Sequence, residues 1–204
     1  IYDVNLLKND SVSRWIQKFP NKVGVTAGEG LKQFDSFEKY FVQILKIVDQ
    51  IKTKNITLIG LGGGSVGDFV GFMASVFKRG VPLIHIPSTW LAAIDSSHGG
   101  KTALNVAGYK NQIGTFYPAQ KIYLVKSLLF TQPEIRVQEA MGEIIKTVLL
   151  AGGSLWKKTA KTSSFSQNEL WDILPELIAY KYKIVNKNLK EKEFLLLKIY
   201  KKIP

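Results

Sequence analysis

Gly62-Gly63-Gly64-Ser65-Val66-Gly67-Asp68 decides the fold. The apolar run Ile56-Thr57-Leu58-Ile59-Gly60-Leu61 leads into it, and Phe69-Val70-Gly71-Phe72-Met73-Ala74-Ser75-Val76-Phe77, a helical pattern of small and apolar residues, leads out. That order is strand, glycine turn, helix. Glycines let backbone N–H groups approach a ligand closely. The helix N-terminus adds partial positive charge, so a phosphate or pyrophosphate is the natural guest. On its own the turn also fits a tight strand-to-helix connection with no ligand.

Outward from the turn, strands and helices alternate. Upstream, Ile1 to Asn5 reads as the end of a strand running into a loop, Ser11 to Phe19 as a short helix stopped by Pro20, and Lys22 to Thr26 as a short strand. A helix is expected from near Asp35. Asp35 and Glu38 have capping-box spacing, and Phe37, Phe41, Ile44, Leu45, Val48 and Ile51 form its apolar face. Downstream, Leu83-Ile84-His85-Ile86 is a buried strand, Ser88 or Thr89 is placed to cap a short helix, and Lys121 to Val125 is a further strand. This alternation predicts an α/β domain with a mostly parallel sheet. Ile94 to Asn111 has little periodicity and many polar and glycine residues, so it reads as a functional loop.

From Pro133 the strand signals stop. One helix is expected from there to about Leu150, broken by Gly152-Gly153. Ser166 and Glu169 open another helical region, running toward Glu193 and interrupted at Pro175. The expected division is therefore 1–132 as an α/β domain and 133–204 as a helical one.

The chain has 204 residues, no cysteine and a net charge of +12. Cysteine chemistry is excluded, and a reducing compartment is consistent with that. The start shows no signal peptide and no apolar run is long enough to span a bilayer, so no membrane partner and a cytoplasmic location are expected. The lysines are spread along the chain and do not interleave with aromatics as a base-stacking platform would. The positive charge suits anionic small molecules, and no nucleic-acid partner is expected.

Two further stretches carry chemistry. Asp95-Ser96-Ser97-His98-Gly99-Gly100-Lys101-Thr102 packs an acid, hydroxyls, glycines and a lysine together, and Lys110-Asn111 follows. Lysines on glycine loops suit phosphate and carboxylate oxygens. A structural loop with surface lysines is the alternative. With Gly62–Asp68, Gly71-Phe72, Arg79-Gly80, Pro87-Ser88-Thr89 and Glu143-Ile144-Ile145-Lys146, these motifs stand in one order at close spacing. The set closely resembles the 3-dehydroquinate synthase family over roughly residues 1–193.

The resemblance implies a Rossmann-like NAD-binding domain followed by an incomplete all-α domain. It implies NAD and a divalent metal, zinc or cobalt, as cofactors. The implied substrate is a small phosphorylated sugar acid, 3-deoxy-D-arabino-heptulosonate 7-phosphate, which is converted to 3-dehydroquinate with phosphate elimination. Gly64, Ser65, Val66, Gly67 and Asp68 match the family's NAD segment. Asp3 and Asn5 match an adenosine contact, and Gly28, Glu29 and Lys32 match a loop whose acid, Glu29, takes the ribose. Ser88 and Thr89 stand where the family has Thr-Thr, and Leu128, Leu129, Phe130 and Thr131 match its last cofactor segment. Asp95, Lys101, Lys110 and Asn111 are implied to line substrate and nicotinamide. Arg79 is implied to reach the substrate phosphate of a neighbouring subunit in a homodimer. Glu143 is implied as a metal ligand and Lys146 as a substrate lysine.

The pattern also has gaps. The family takes two metal ligands from histidines in its helical domain, whereas this chain has only His85 and His98. His85 reads as a packed core residue and His98 as a local variant. Asn188 stands where the family has Asp, and from Phe194 to Pro204 nothing matches. These gaps lead us to expect a truncated, impaired enzyme, with strands also lost before residue 1. Apolar residues such as Leu170, Ile173, Leu174 and Leu177 are expected to be left exposed. The alternatives are a non-catalytic nucleotide-binding module of the same fold and another sugar-phosphate cyclase.

Overall fold

The computed structural model describes residues 1–52, 55–159, 162 and 164–189. Glu193, toward which the last helical region is expected to run, and the stretch from Phe194 to Pro204 lie outside them. The described backbone divides into two units, with the boundary between Gln132 and Pro133.

The first unit is built on a five-stranded, all-parallel sheet. In chain order its strands are β1 (Tyr2–Asp3), β2 (Gly24–Val25), β3 (Leu58–Gly62), β4 (Leu83–Pro87) and, after two further strands, β7 (Lys121–Ile122). Their order in the sheet is β2-β1-β3-β4-β7. β3 and β4 pair over their full length, Leu58 with Leu83 through to Gly62 with Pro87. Both are buried on two faces, which explains why they read as continuous apolar runs and not as alternation. The chain leaves β1 toward β2 on one side and returns to β3 on the other. Such a switch in direction opens a crevice beyond the carboxyl ends of β1 and β3, where ligands bind in sheets of this kind.

The helices of this unit are α1 (Asp10–Gln17), α2 (Phe34–Ile51), α3 (Gly64–Val76), α4 (Trp90–Ile94) and α5 (Lys126–Leu129). α3 is the central one. Val66, Phe69, Val70, Met73 and Ala74 are fully buried, and Phe37 and Tyr40 of α2 pack edge-on against Phe69. The capping box expected at Asp35 and Glu38 does not form. α2 begins one residue earlier, at Phe34, from Gln33 with no side-chain cap, because the chain enters straight from the loop that carries Lys32.

The stretch read as a polar loop is largely a β-hairpin. β5 (Lys101–Val106) and β6 (Tyr109–Phe116) run antiparallel around a two-residue turn, Ala107 (φ 50°) and Gly108 (φ 83°). Positive φ at both turn residues matches the twist of a tight hairpin. β6 is exposed along almost its whole length, so its sequence carries no apolar alternation to betray a strand.

The second unit holds α6 (Ile135–Ala151), α7 (Gly153–Thr159) and α8 (Gln167–Leu189). Pro175 does not interrupt α8, which runs through it as one helix and forgoes the bond that a backbone N–H there would donate to Trp171. Ser166 and Glu169 form the expected capping box: Ser166 Oγ donates to Glu169 Oε2 at 2.7 Å, and the Glu169 amide donates to Ser166 Oγ at 3.3 Å. The Ser166 amide also donates to Glu169 Oε2, at 2.8 Å, and that bond, with the one from Ser166 Oγ, holds the Glu169 carboxyl below its usual pKa. The expected exposure of the α8 stripe is not found. Leu170, Leu174 and Leu177 are buried and Ile173 is half-buried, because α8 packs along α6.

Candidate functional site

The carboxyl edge of the sheet gathers most of the predicted residues. β3 ends at Gly62, and α3 starts from Gly63 with no side-chain cap, leaving its first turn open to an anion. The turn has no room for a side chain. A Cβ on Gly62 would lie 2.7 Å from Val66, and one on Gly63 would lie 3.0 Å from Thr89. The Val66 side chain is core, so that residue can offer a ligand only backbone. Next door, the Ser88 amide donates to Gly62 O at 2.9 Å and tethers the ends of β3 and β4. Thr89 Oγ1 accepts the Ala92 amide at 3.2 Å and caps α4. At the end of β1, Asp3 Oδ1 accepts from the amide of Asn5 at 3.0 Å and from its side chain at 3.1 Å.

Loop 28–32 closes over the start of α3. The Gly28 amide donates to Ser65 Oγ at 3.0 Å. Lys32 is 5% exposed overall, and its Nζ donates to Asp68 Oδ2 at 2.7 Å and to Asn111 Oδ1 at 2.6 Å. Burial raises the Asp68 carboxyl above its usual pKa, and Lys32 opposes that rise. Asn105 completes the cluster. Its Nδ2 donates to Glu29 Oε2 at 2.9 Å, and its Oδ1 accepts the Asn111 amide at 2.9 Å. Glu29, Lys32, Asp68, Asn105 and Asn111 thus form one hydrogen-bonded chain linking loop, helix and hairpin. The role of Asn105 was missed in the sequence. Its signal was a polar residue between Leu104 and Val106 in what proved to be a strand.

The segment 95–98 also comes to the helix start, since a Cβ on Gly64 would meet Ser96 Oγ at 3.3 Å. Asp95 stands at the start of the turn that follows α4, without a side-chain cap bond to it, and His98 is buried with Nε2 2.8 Å from Ala93 O. Other predicted residues lie apart from the cluster. Lys101 is exposed at the other end of β5, some four residues or ~13 Å along the strand from Asn105. Lys110 is exposed beside the hairpin turn, next to Asn111. Arg79 is exposed in a left-handed backbone conformation (φ 67°) beyond the C-terminus of α3, ~20 Å of helix from the glycine turn. Leu128 and Leu129 are core, so they too can present only backbone. Phe130 lies against Trp90 at 5.7 Å between centroids, and Thr131 Oγ1 donates to Leu128 O at 2.7 Å.

His85 is buried in β4, and burial, with a smaller push from His98, lowers it to a pKa of about 4. It is a neutral core residue. In the second unit Glu143 is ion-paired with Lys146 one turn away on α6. Among the described residues no group of three or more His, Asp or Glu side chains could hold a metal ion. Nor, among them, is any helix long and apolar enough to cross a membrane.

Residues 22–139 match the family described as 3-dehydroquinate synthase N-terminal. The chain is 37% identical over 186 residues to the 3-dehydroquinate synthase of Leptospira interrogans, covering 88% of this chain and 50% of the relative. It is 42% identical over 126 residues to that of Alkaliphilus oremlandii, covering 62% and 34%. It therefore spans about half the length, or less, of these curated relatives. Among solved structures, 2-deoxy-scyllo-inosose synthase complexed with carbaglucose-6-phosphate, NAD+ and Co2+ superposes with a TM-score of 0.77 at 21% identity, covering 98% of this chain and 56% of that one. At that identity the likeness shows a shared fold.

Proposed function

The chain belongs to the 3-dehydroquinate synthase family, and from that premise we propose that its first unit is an NAD site serving the cyclisation of a phosphorylated sugar acid, 3-deoxy-D-arabino-heptulosonate 7-phosphate, in the cytoplasm. The observation that carries the reading is the uncapped, glycine-walled start of α3 at the switch point of the sheet, closed over by the 28–32 loop. A dinucleotide fits there. Gly64, Ser65, Val66 and Gly67 would offer backbone to the pyrophosphate, with Ser88, Thr89 and the backbone of 128–131 alongside. Asp3 and Asn5 would meet the adenosine end, and Glu29, held by Asn105, would meet ribose hydroxyls. The dinucleotide supplies a reversible hydride acceptor for a ring alcohol.

Asp95, Lys101, Lys110 and Asn111 are read as the substrate side, where the lysines act as point charges toward carboxylate and phosphate. Lys32, buried between Asp68 and Asn111, fixes the boundary between the two sides. Lys146 is read as a further substrate lysine. Arg79, exposed and beyond the far end of α3, suits a role toward the substrate phosphate of a second subunit in a homodimer.

A divalent metal, zinc or cobalt, does not fit the described residues. A catalytic site needs about three protein ligands. Glu143 is a single carboxylate paired with Lys146, His85 is a neutral core residue, and His98 is engaged with Ala93 O. We therefore expect cofactor binding to outlast turnover in this chain. Calorimetric titration with NAD+ tests the first half, and failure to bind at millimolar cofactor would refute it. Phosphate release from the heptulosonate phosphate, with glucose 6-phosphate as comparison, tests the second. Robust turnover would refute the impairment, and a preference for glucose 6-phosphate would favour another cyclase. NAD binding without any release would favour a non-catalytic module.

A further inference from the structure

We propose that Asn105 is a positioning residue that joins Glu29 to Asn111, so that occupancy of the cofactor side is registered on the substrate-side hairpin. The proposal rests on the reading of Glu29 as a cofactor acid. Asn105 is 2% exposed, and its backbone amide, Oδ1 and Nδ2 each meet a defined partner. Its amide donates to Lys32 O at 2.7 Å, fastening β5 to the cofactor loop. The orientation of its side chain follows from its partners. The Asn111 backbone N–H can only donate, so Oδ1 must face it, and Nδ2 is then left to meet the carboxylate of Glu29. Aspartate would keep the acceptor but set a carboxylate against Glu29. Leucine would offer neither group.

Both ends of this link need holding. Asn111 has φ 55°, a conformation that non-glycine residues visit seldom, although Asn tolerates it better than most. The bond to Asn105 and the contact of its own Oδ1 with Lys32 Nζ keep it there. At the other end Glu29 spends Oε2 on Asn105 and has Oε1 for a ligand hydroxyl. A ligand that pulls on Glu29 therefore pulls on Asn105, and through it on the backbone of Asn111. Contiguous hydrogen bonds of this kind are one route by which a displacement at one site reaches another.

Nitrogen-15 NMR on the whole chain reads this directly. In the wild type, NAD+ should shift the Asn105 side-chain NH2 signals and the Asn111 amide together with the same midpoint. In Asn105→Asp, NAD+ affinity should fall at least tenfold, and the Asn111 amide should cease to report the cofactor. An Asn111 signal that stays still in cofactor-saturated wild type overturns the proposal, as does an Asn105→Asp affinity within twofold of wild type. Should Asn105→Asp fail to fold, the wild-type titration decides alone. Should the wild type not bind NAD+, the cofactor reading fails separately. The link is then judged by Glu29→Gln, which must still move the Asn111 amide, and an unmoved signal sinks it.

Discussion

Replacing Lys32 with Met should unsettle the first unit more than any surface lysine could. The Met chain fills nearly the same space, so the change isolates the charge. In the wild type the Lys32 side chain is 7% exposed and that of Asp68 is 24% exposed, with 2.7 Å between Nζ and Oδ2. Removing one partner of a buried pair costs about 3–5 kcal/mol. Partial exposure of Asp68 trims this, and loss of the Asn111 bond restores about 1 kcal/mol of it. The expected loss at neutral pH is about 3 kcal/mol, read by urea unfolding. Asp68→Asn in the same background should recover about half, since the stranded carboxylate is the main penalty.

The pH dependence gives a sharper test. The pKa of Asp68 is raised in the fold, chiefly by burial. Its contribution is therefore fully present below the ordinary value of 3.8 and is lost as pH rises through the folded value. Without Lys32 that loss deepens. The gap between variant and wild type should thus be wider at pH 8 than at pH 4. A Lys32→Met cost below about 0.5 kcal/mol, or one independent of pH, would show that the pair does not act as a buried charge pair.

Other perturbations have defined outcomes. His85 titrates at about 4 in the fold against 6.5 ordinarily, so stability should be whole above pH 6.5 and fall as pH drops toward 4, by about 3 kcal/mol in total. Thermal melts across that range check this, and His85→Gln should flatten the slope. In Gly71→Ala the new Cβ would sit 2.4 Å from Thr102 Cγ2, forcing α3 and the hairpin apart at a cost of about 1–3 kcal/mol. Adding Thr102→Ser, which deletes that methyl, should restore most of the melting temperature. Ser166→Ala removes the α8 cap and should cost about 1 kcal/mol with a small loss of helical circular dichroism.

The parallel sheet and α3 were legible because Ile56–Leu61 and Leu83–Ile86 are apolar runs bounded by Gly and Pro. The glycine turn was legible because few residues other than Gly fit it. The hairpin was not. Lys110, Asn111 and Gln112 stand on an exposed strand whose pairing partner, not its own pattern, makes it a strand. Capping boxes were a fair guide only where the preceding chain left them room: Ser166 caps α8, while Asp35 lies already inside α2. The buried stripe of α8 was misjudged because Leu170 and Leu174 meet α6, a contact that spacing within one segment cannot reveal. Asn105 escaped for a related reason, since its partners lie 76 positions upstream and 6 downstream.

Those separations have a consequence for how the molecule assembles. β3, α3 and β4 are neighbours in the chain and can meet early. The bonds Lys32–Asp68, Lys32–Asn111 and Asn105–Glu29 close loops of 36, 79 and 76 residues. Such closures bear the largest entropy loss and come after local contacts have formed. Folding should therefore pair β3 with β4 before it completes the site. In reverse, loop 28–32 and the hairpin should part from each other in small excursions that leave β3 and β4 intact. The amides of Asn105 and Asn111 would then exchange with solvent far sooner than those of the central strands.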